Sequence, residues 1–236
     1  MKPAIALVGD FSGTSVAHRA IPPALELAGQ AEGCPVSWTW VPTASIRDAA
    51  RDLAGFAAVW VVPASPHVNM AGALDAIRWA RKTRRPLFGS CGGFQHLLIE
   101  FARSHAGLAA ADTAETNPGG SELIITSLAC SLVEETSPLR FTTGSRLRAI
   151  YGRDTAVEGY HCRYGLNAAY REKLAVAGLR FTAFDENGEV RAAELPEEVH
   201  PFFLGTLFQP ERAALRGEAP PLARALVRAA AAASSP

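Results

Sequence analysis

The sequence predicts an α/β chain with a central, mostly parallel sheet, helices on both of its faces and a peripheral antiparallel hairpin. Three observations carry that expectation. Residues 4–8 (AIALV) and 57–62 (AAVWVV) are apolar throughout, as strands buried on both faces are. Strand-like and helix-like patterns alternate from Ala4 to Phe101, the signature of parallel strands joined by crossover helices. Residues 86–101 (PLFGSCGGFQHLLIEF) then compress a strand, a sharp turn at Cys91 and a helix with Phe94, Leu97, Leu98 and Phe101 on one face. In an α/β fold such a turn lifts one side chain above the sheet, beside the first N–H groups of the helix. Cys91 thus occupies a nucleophile's position.

Taken in order, the opening MKPAIALVGDF has one lysine and a short apolar run, and reads as a first strand rather than a signal peptide. Residues 21–28 suit a helix whose first turn tolerates Pro22 and Pro23, with Gly29 as its stop. Residues 36–41 suit a second strand, 45–53 a short helix and 57–62 a third strand. Residues 70–83 place Ala73, Leu74, Ile77 and Ala80 at helical spacing. The loops after Val8, Val62 and Ser90 all leave the carboxyl edge of such a sheet, where ligands gather. Beyond Gly120 the pattern changes to short alternating runs at 122–126 and 147–151. Residues 180–184 and 190–194 then flank Asp185-Glu186-Asn187-Gly188, which predicts a hairpin. Residues 202–208 (FFLGTLF) form a last buried strand and 220–233 an alanine-rich closing helix, after which 234–236 is expected to fray. No repeat or linker divides the chain, so residues 1–236 are expected to form one domain.

Composition narrows the function classes. Positive and negative side chains balance at 23 each, so neither nucleic acid nor an anionic membrane is an expected partner. No segment reaches the length needed to span a bilayer. The four cysteines (Cys34, Cys91, Cys130, Cys162) are too scattered for a zinc site of paired ligands and too few for a disulfide-stapled scaffold. No metal or cofactor is expected, and a reducing cytoplasm is the expected compartment.

The segment around Cys91, with its continuation IEFARSHAGLAAADTAET, resembles the glutaminase domain of CTP synthase, a class I (triad) glutamine amidotransferase. IALVGDF, AIRWARKTRRPLFGSCGGFQ, CRYGLN, GLRFTAFDENGEVRAAELPEEVHPFF and LGTLFQPE fall in that family's order and spacing, so the resemblance covers nearly the whole chain. It implies a three-layer α/β glutaminase domain without the synthetase domain that normally precedes it. In that family a cysteine thiolate attacks the side-chain amide of glutamine, while a histidine and a glutamate activate it and backbone N–H groups hold the oxyanion. The resemblance implies that Cys91 is the nucleophile and Gly92 an oxyanion donor. Likewise it implies that Gln95 holds substrate, Glu115 meets the substrate's amino group and Arg163 its carboxylate. A small, glutamine-like substrate is the expected ligand.

Two departures strike the chemistry. Where the family reads His-Pro-Glu, this chain reads Gln209-Pro210-Glu211. An amide cannot take a proton near neutral pH, general base assistance is worth about 10²–10⁴ in rate, and Glu211 is left without an imidazole to orient. Where the family has Pro-Gly-Gly, this chain reads Pro63-Ala64-Ser65-Pro66, which limits positive-φ conformations and removes an N–H at Pro66. One lost oxyanion donor costs on the order of 3–4 kcal/mol. His161, two residues before Arg163 and on its face if the segment is extended, is one substitute base. His67, in the altered loop, is another. His18, His105 and His200 have less in their favour, and His96 points about 100° around the helix from Gln95. A thiol beside a helix N-terminus has a lowered pKa, which preserves thiolate at Cys91 without a histidine. Cys34, Cys130 and Cys162 lack that setting and are expected to be structural.

The sequence therefore supports an atypical cysteine-dependent enzyme that acts through Cys91, with a non-standard base, on glutamine or a related γ-amide or γ-glutamyl compound. The alternative is a catalytically inactive domain that binds a glutamine-like ligand or a partner protein. A third reading is a glutaminase subunit supplying ammonia to a separate synthetase or acceptor. CTP formation by this chain alone is not expected, since no G-x-x-x-x-G-K phosphate loop is present.

Overall fold

A computed structural model describes residues 2–234, so the expected fraying of Ser235 and Pro236 lies outside the described residues. Strand β1 (Ala4–Val8) lies inside the parallel half of the sheet, one strand from its edge. Its apolar residues let it pair on both edges. After β1, helix α1 (Val16–Ala31) leads to β2 (Ser37–Val41), and a short helix α2 (Ala49–Asp52) precedes β3 (Ala58–Val61). Both β2 and β3 lie parallel to β1, in register from Ala4↔Ser37 and Ile5↔Ala58. Helix α3 (Met70–Lys82) crosses to β4 (Leu87–Ser90), parallel to β3, and α4 (Gly92–His105) follows Cys91 at once.

The second half carries β5 (Ala111–Thr113), β6 (Glu122–Phe141), α5 (Arg146–Tyr151), β7 (Thr155–Leu166), α6 (Arg171–Val176), β8 (Arg180–Phe184), β9 (Val190–Glu194), β10 (Phe203–Thr206) and α7 (Pro221–Ala233). The strand order is β2-β1-β3-β4-β10-β9-β8-β6-β5, with β7 paired to β6 off this path. Strand β10 returns parallel to β4, setting the last strand's carboxyl end beside Cys91. The β8–β9 hairpin joins the sheet through antiparallel pairing of β9 with β10. Among the described residues, no helix is long and apolar enough to cross a membrane.

Three boundaries differ from the sequence reading, each for a local reason. Helix α1 begins at Val16 rather than Ile21, because Ser15 caps it by accepting the His18 N–H at 3.3 Å. Pro22 and Pro23 therefore lie inside the helix, and burial of Ile21, Ala24, Leu25 and Ala28 offsets the hydrogen bonds they remove. The stretch 45–53 splits into a turn at Thr43–Ser45 and α2, since Asp10 grips Thr43 while Asp48 caps Ala50. Residues 147–151 are helical, not extended. Ser145 accepts the Arg148 N–H at 3.1 Å, and Gly152 at φ 65° closes the turn, so caps decide a run too short to show its period.

Close packing at Gly93 seats the Cys91 turn. A Cβ there would stand 2.0 Å from the Val61 carbonyl oxygen, so the first turn of α4 lies directly on β3.

Candidate active site

Cys91 sits between the last residue of β4 and the first of α4 with φ 50° and ψ −107°, a conformation that non-glycine residues rarely adopt. Its N–H donates to the Thr206 carbonyl of β10 at 2.8 Å, so the strained turn is fastened to the sheet. The side chain, 4% exposed, borders a pocket of about 410 Å³. Gln95, Glu115, His161, Arg163 and Gln209 line the same pocket, so six of the sequence-derived candidates converge there. Gly92 and Glu211 do not line it. Gly92 is the residue after the thiol, and Glu211 is buried beneath.

Donors surround the sulfur. The Cys162 thiol, the Gly92 N–H, the Gln209 side-chain amide and the Ala64 N–H lie around Cys91, and together they outweigh burial and lower its pKa. Cys162 changes the opposite way. Burial first, and then the Cys91 sulfur beside it, push its pKa well up. The Cys162 thiol also lies 3.3 Å from the Leu207 carbonyl oxygen. When Cys91 is protonated, its thiol faces the His161 carbonyl oxygen at 3.5 Å.

Two parts of this arrangement differ from the sequence expectation. Ala64 adopts φ 76° without being glycine, and its N–H points at Cys91, so the Pro63–Pro66 loop still presents a donor. His18 braces that loop. Its Nδ1 accepts the Ser12 N–H at 2.9 Å, which leaves the Nε2–H to donate to the Pro63 carbonyl at 2.8 Å. Cys162, taken from sequence as structural, touches the candidate nucleophile. It was missed because a contact between residues 71 positions apart has no sequence signature; the nearest signal was its place between His161 and Arg163.

Gln209 is held as a donor. Its Oε1 accepts Arg212 Nε at 2.6 Å, which turns the amide NH₂ toward Cys91. Arg212 in turn grips both Glu134 carboxylate oxygens at 2.9 and 2.8 Å. Glu134 sits at φ 56° in an irregular stretch of β6, and its pKa falls to about 2 because Arg212 and then His161 bind it. His161 shares the outward face of β7 with Arg163, but its Nδ1 lies 2.7 Å from Glu134 Oε1. Only its carbonyl oxygen meets Cys91, and no imidazole stands among the groups around the sulfur. Arg163 is exposed, and among the described residues it makes no ion pair. Gln95 is 3% exposed and donates to the Tyr164 carbonyl at 2.9 Å, tying α4 to β7 across the pocket.

Glu211 is fully buried, and burial raises its pKa to about 8, with the negative charge at Cys91 adding to the effect. It accepts a long hydrogen bond from Ser90 at 3.4 Å, and its second oxygen has no partner among the described residues. At neutral pH it is a carboxylic acid. His67 lines a neighbouring cavity rather than this pocket. Its ring lies tilted against that of His96, 4.5 Å between centroids, and burial lowers its pKa to about 3. His96 donates through Nδ1 to the Gly92 carbonyl at 2.7 Å, steadying the turn from behind. His105 stacks on Phe101 and His200 packs near Ala80, both away from the pocket. Among the described residues, no group of three or more His, Cys, Asp or Glu is arranged to hold a metal ion.

The glutamine amidotransferase class-I family model matches residues 23–229. The CTP synthase of Synechococcus sp. (strain WH7803) is 34% identical over 238 residues, covering 96% of this chain and 44% of that protein. The CTP synthase of Aeropyrum pernix is 32% identical over 220 residues, covering 88% of this chain and 41% of that protein. The chain thus spans less than half the length of these relatives. Among solved structures, the glutaminase domain of Trypanosoma brucei CTPS with bound acivicin superposes with a TM-score of 0.89 at 23% identity, covering 98% of this chain and 94% of that one. A Thermotoga maritima glutamine amidotransferase superposes at 0.63 with 10% identity and full coverage of both chains. The last two comparisons establish the fold, three-layered with a mostly parallel central sheet; the matched family model establishes more, and by it the chain belongs to the class-I glutamine amidotransferases.

Proposed function

We propose that residues 1–236 act as one amidotransferase-like domain that attacks glutamine, or a related γ-amide or γ-glutamyl compound, through a preformed Cys91 thiolate. The observation that carries this reading is the set of four donors on the Cys91 sulfur at the floor of a pocket shared with Gln95, Glu115 and Arg163. Arg163 is placed to meet the substrate's carboxylate and Glu115 its amino group. The thiolate adds to the amide carbon, and the carbonyl oxygen takes up the negative charge. The Gly92 and Ala64 N–H groups, released by the sulfur as its charge moves to oxygen, hold that oxyanion. The amide nitrogen takes a proton from solvent as the C–N bond breaks, ammonia leaves, and a thioester remains on Cys91.

Hydrolysis of the thioester is the hard step. A water must lose a proton as it attacks, and Gln209 cannot accept one. Acylation is therefore expected to outrun deacylation, giving a burst of ammonia followed by slow turnover. An acceptor amine, or a protein that receives the ammonia, is the natural partner of such a site. No membrane or nucleic-acid partner is proposed.

Ammonia release from glutamine and a panel of γ-amides tests the reading against Cys91→Ala. Stoichiometric release with a covalent adduct on Cys91 supports it. Equal, negligible release by both chains on every compound, with no Cys91 labelling by acivicin, favours the inactive domain that binds without turnover. Gln209→His is expected to raise steady-state release, by at most about 10²–10⁴.

A further inference from the structure

The contact between Cys91 and Cys162 supports a second chemistry that amide transfer does not use. Both cysteines border the open pocket, and their side chains lie against each other. Their acidities diverge, since the surroundings lower the pKa of Cys91 and raise that of Cys162. A nucleophilic thiolate with a protonated thiol against it is the starting arrangement for two-electron thiol oxidation. The other cysteines are placed differently. Cys130 is exposed at the irregular part of β6, and Cys34 lies in the turn after α1.

We propose that Cys91 and Cys162 form a nucleophile–resolver pair that reduces hydroperoxides. The Cys91 thiolate attacks the outer oxygen of a hydroperoxide, the O–O bond breaks, and the alkoxide or hydroxide leaves with a proton from solvent. Cys91 is then a sulfenic acid. The Cys162 sulfur attacks it, an S–S bond forms, and the hydroxyl departs as water with the proton Cys162 carried. Sulfur has lost two electrons and the peroxide has gained them. A dithiol reductant returns both cysteines to the thiol state by exchange through a mixed disulfide. The pocket that admits a γ-amide is wide enough for a small hydroperoxide, and Gln209 is among the groups that lower the Cys91 pKa. Because oxidation consumes the same sulfur, the disulfide form is also closed to amide attack.

The test treats the fully reduced chain with one equivalent of hydrogen peroxide and follows intact mass and peptide maps. The expected result is a loss of about 2 Da with a peptide linking Cys91 to Cys162, formed at least about tenfold faster than any oxidation at the exposed Cys130. Cys162→Ser keeps a hydroxyl donor beside Cys91 but cannot close the bond, so it is expected to gain about 16 Da as a sulfenic acid that dimedone traps. With excess dithiothreitol, wild type is expected to consume many equivalents of peroxide, and Cys91→Ser none above the uncatalysed rate. Oxidation appearing first at Cys130, or a wild type that gains oxygen without linking Cys162, overturns the pair. Consumption that stops at one equivalent despite dithiothreitol overturns the activity. None of these readouts depends on ammonia release, so the two proposals stand or fall separately.

Discussion

At the Cys91 sulfur, neighbouring donors compete with burial to set the pKa, and the two side-chain donors, Cys162 and Gln209, can be removed singly. A hydrogen bond to a charged group is worth about 1.5–3 kcal/mol, which corresponds to roughly one to two pH units on the thiol's titration. The thiolate is the form that alkylates, so the rate rises with pH through the Cys91 pKa and a lowered pKa moves that rise to lower pH. Cys162→Ala and Gln209→Ala are each expected to shift the alkylation midpoint of Cys91 upward by about that amount, as iodoacetamide kinetics across pH will register. A midpoint unmoved in both variants would show that the helix terminus and backbone donors suffice. His161→Ala is expected to leave the midpoint near its place, because the imidazole is engaged with Glu134. Gly93→Ala acts through backbone position instead. Its new methyl would meet the Val61 carbonyl at 2.0 Å, with no flexible side chain to give way. Overpacking of this kind costs about 1–3 kcal/mol or more, so a lower melting temperature and a slower alkylation of Cys91 should appear together.

Between elements, the site depends on a link that joins β6, β7 and the turn after β10. Glu134 binds Arg212, Arg212 binds Gln209, and Gln209 faces Cys91. Arg212→Met keeps the length and apolar stem while removing the fork that fixes Gln209 Oε1. The freed amide can then rotate, so the Cys91 midpoint is expected to rise toward that of Gln209→Ala, and the double variant to add little. Additive shifts in the double variant would instead place Arg212's effect in its own charge. This link was not legible in the sequence. Glu134 and Arg212 lie 78 positions apart, and Glu134 adopts a positive φ in a strand whose register shifts twice against β7. Bulges of this kind erase the alternation by which a strand is read, which is why only residues 122–126 of β6 were foreseen. The parallel half was legible for the opposite reason. AIALV, AVWV and LFGS are buried on both faces, so their apolar runs are uninterrupted, and the turn at Cys91 follows from one of them. Sequence also gathered Cys91, Gln95, Glu115, Arg163 and Gln209 at one pocket, because each was carried on a motif of fixed spacing. His18 was carried on none, and Cys162, though it opens the CRYGLN stretch, carried no role there.

Across the whole molecule, Glu211 sets a carboxyl group in the core with no ion-pair partner among the described residues, and that has a global consequence for stability. Glu211 is fully buried and its pKa stands at about 8, chiefly through burial, against about 4.5 for an exposed glutamate. Between those values the folded chain holds a proton at Glu211 that the unfolded chain has released. Folded protein then binds more protons than unfolded, so stability falls as pH rises. The contribution is fully present below about pH 4.5 and is lost as pH climbs through about 8. His67 works in the other direction at lower pH. Its folded pKa of about 3 lies below the ordinary 6.5, so the unfolded chain binds the extra proton and stability falls as pH drops below about 6.5. The two windows overlap between about 4.5 and 6.5, where the slopes oppose. Above about 6.5 the Glu211 slope stands without that opposition. Glu211→Gln replaces the neutral acid with a neutral amide of the same shape, so it should change stability little near pH 5. It should then remove several kcal/mol of the decline seen by pH 9, measured by urea unfolding at each pH. If wild type and Glu211→Gln lose stability in parallel from pH 6 to 9, Glu211 is already ionised in the folded chain, and the buried negative charge must be matched by a proton held elsewhere around Cys91.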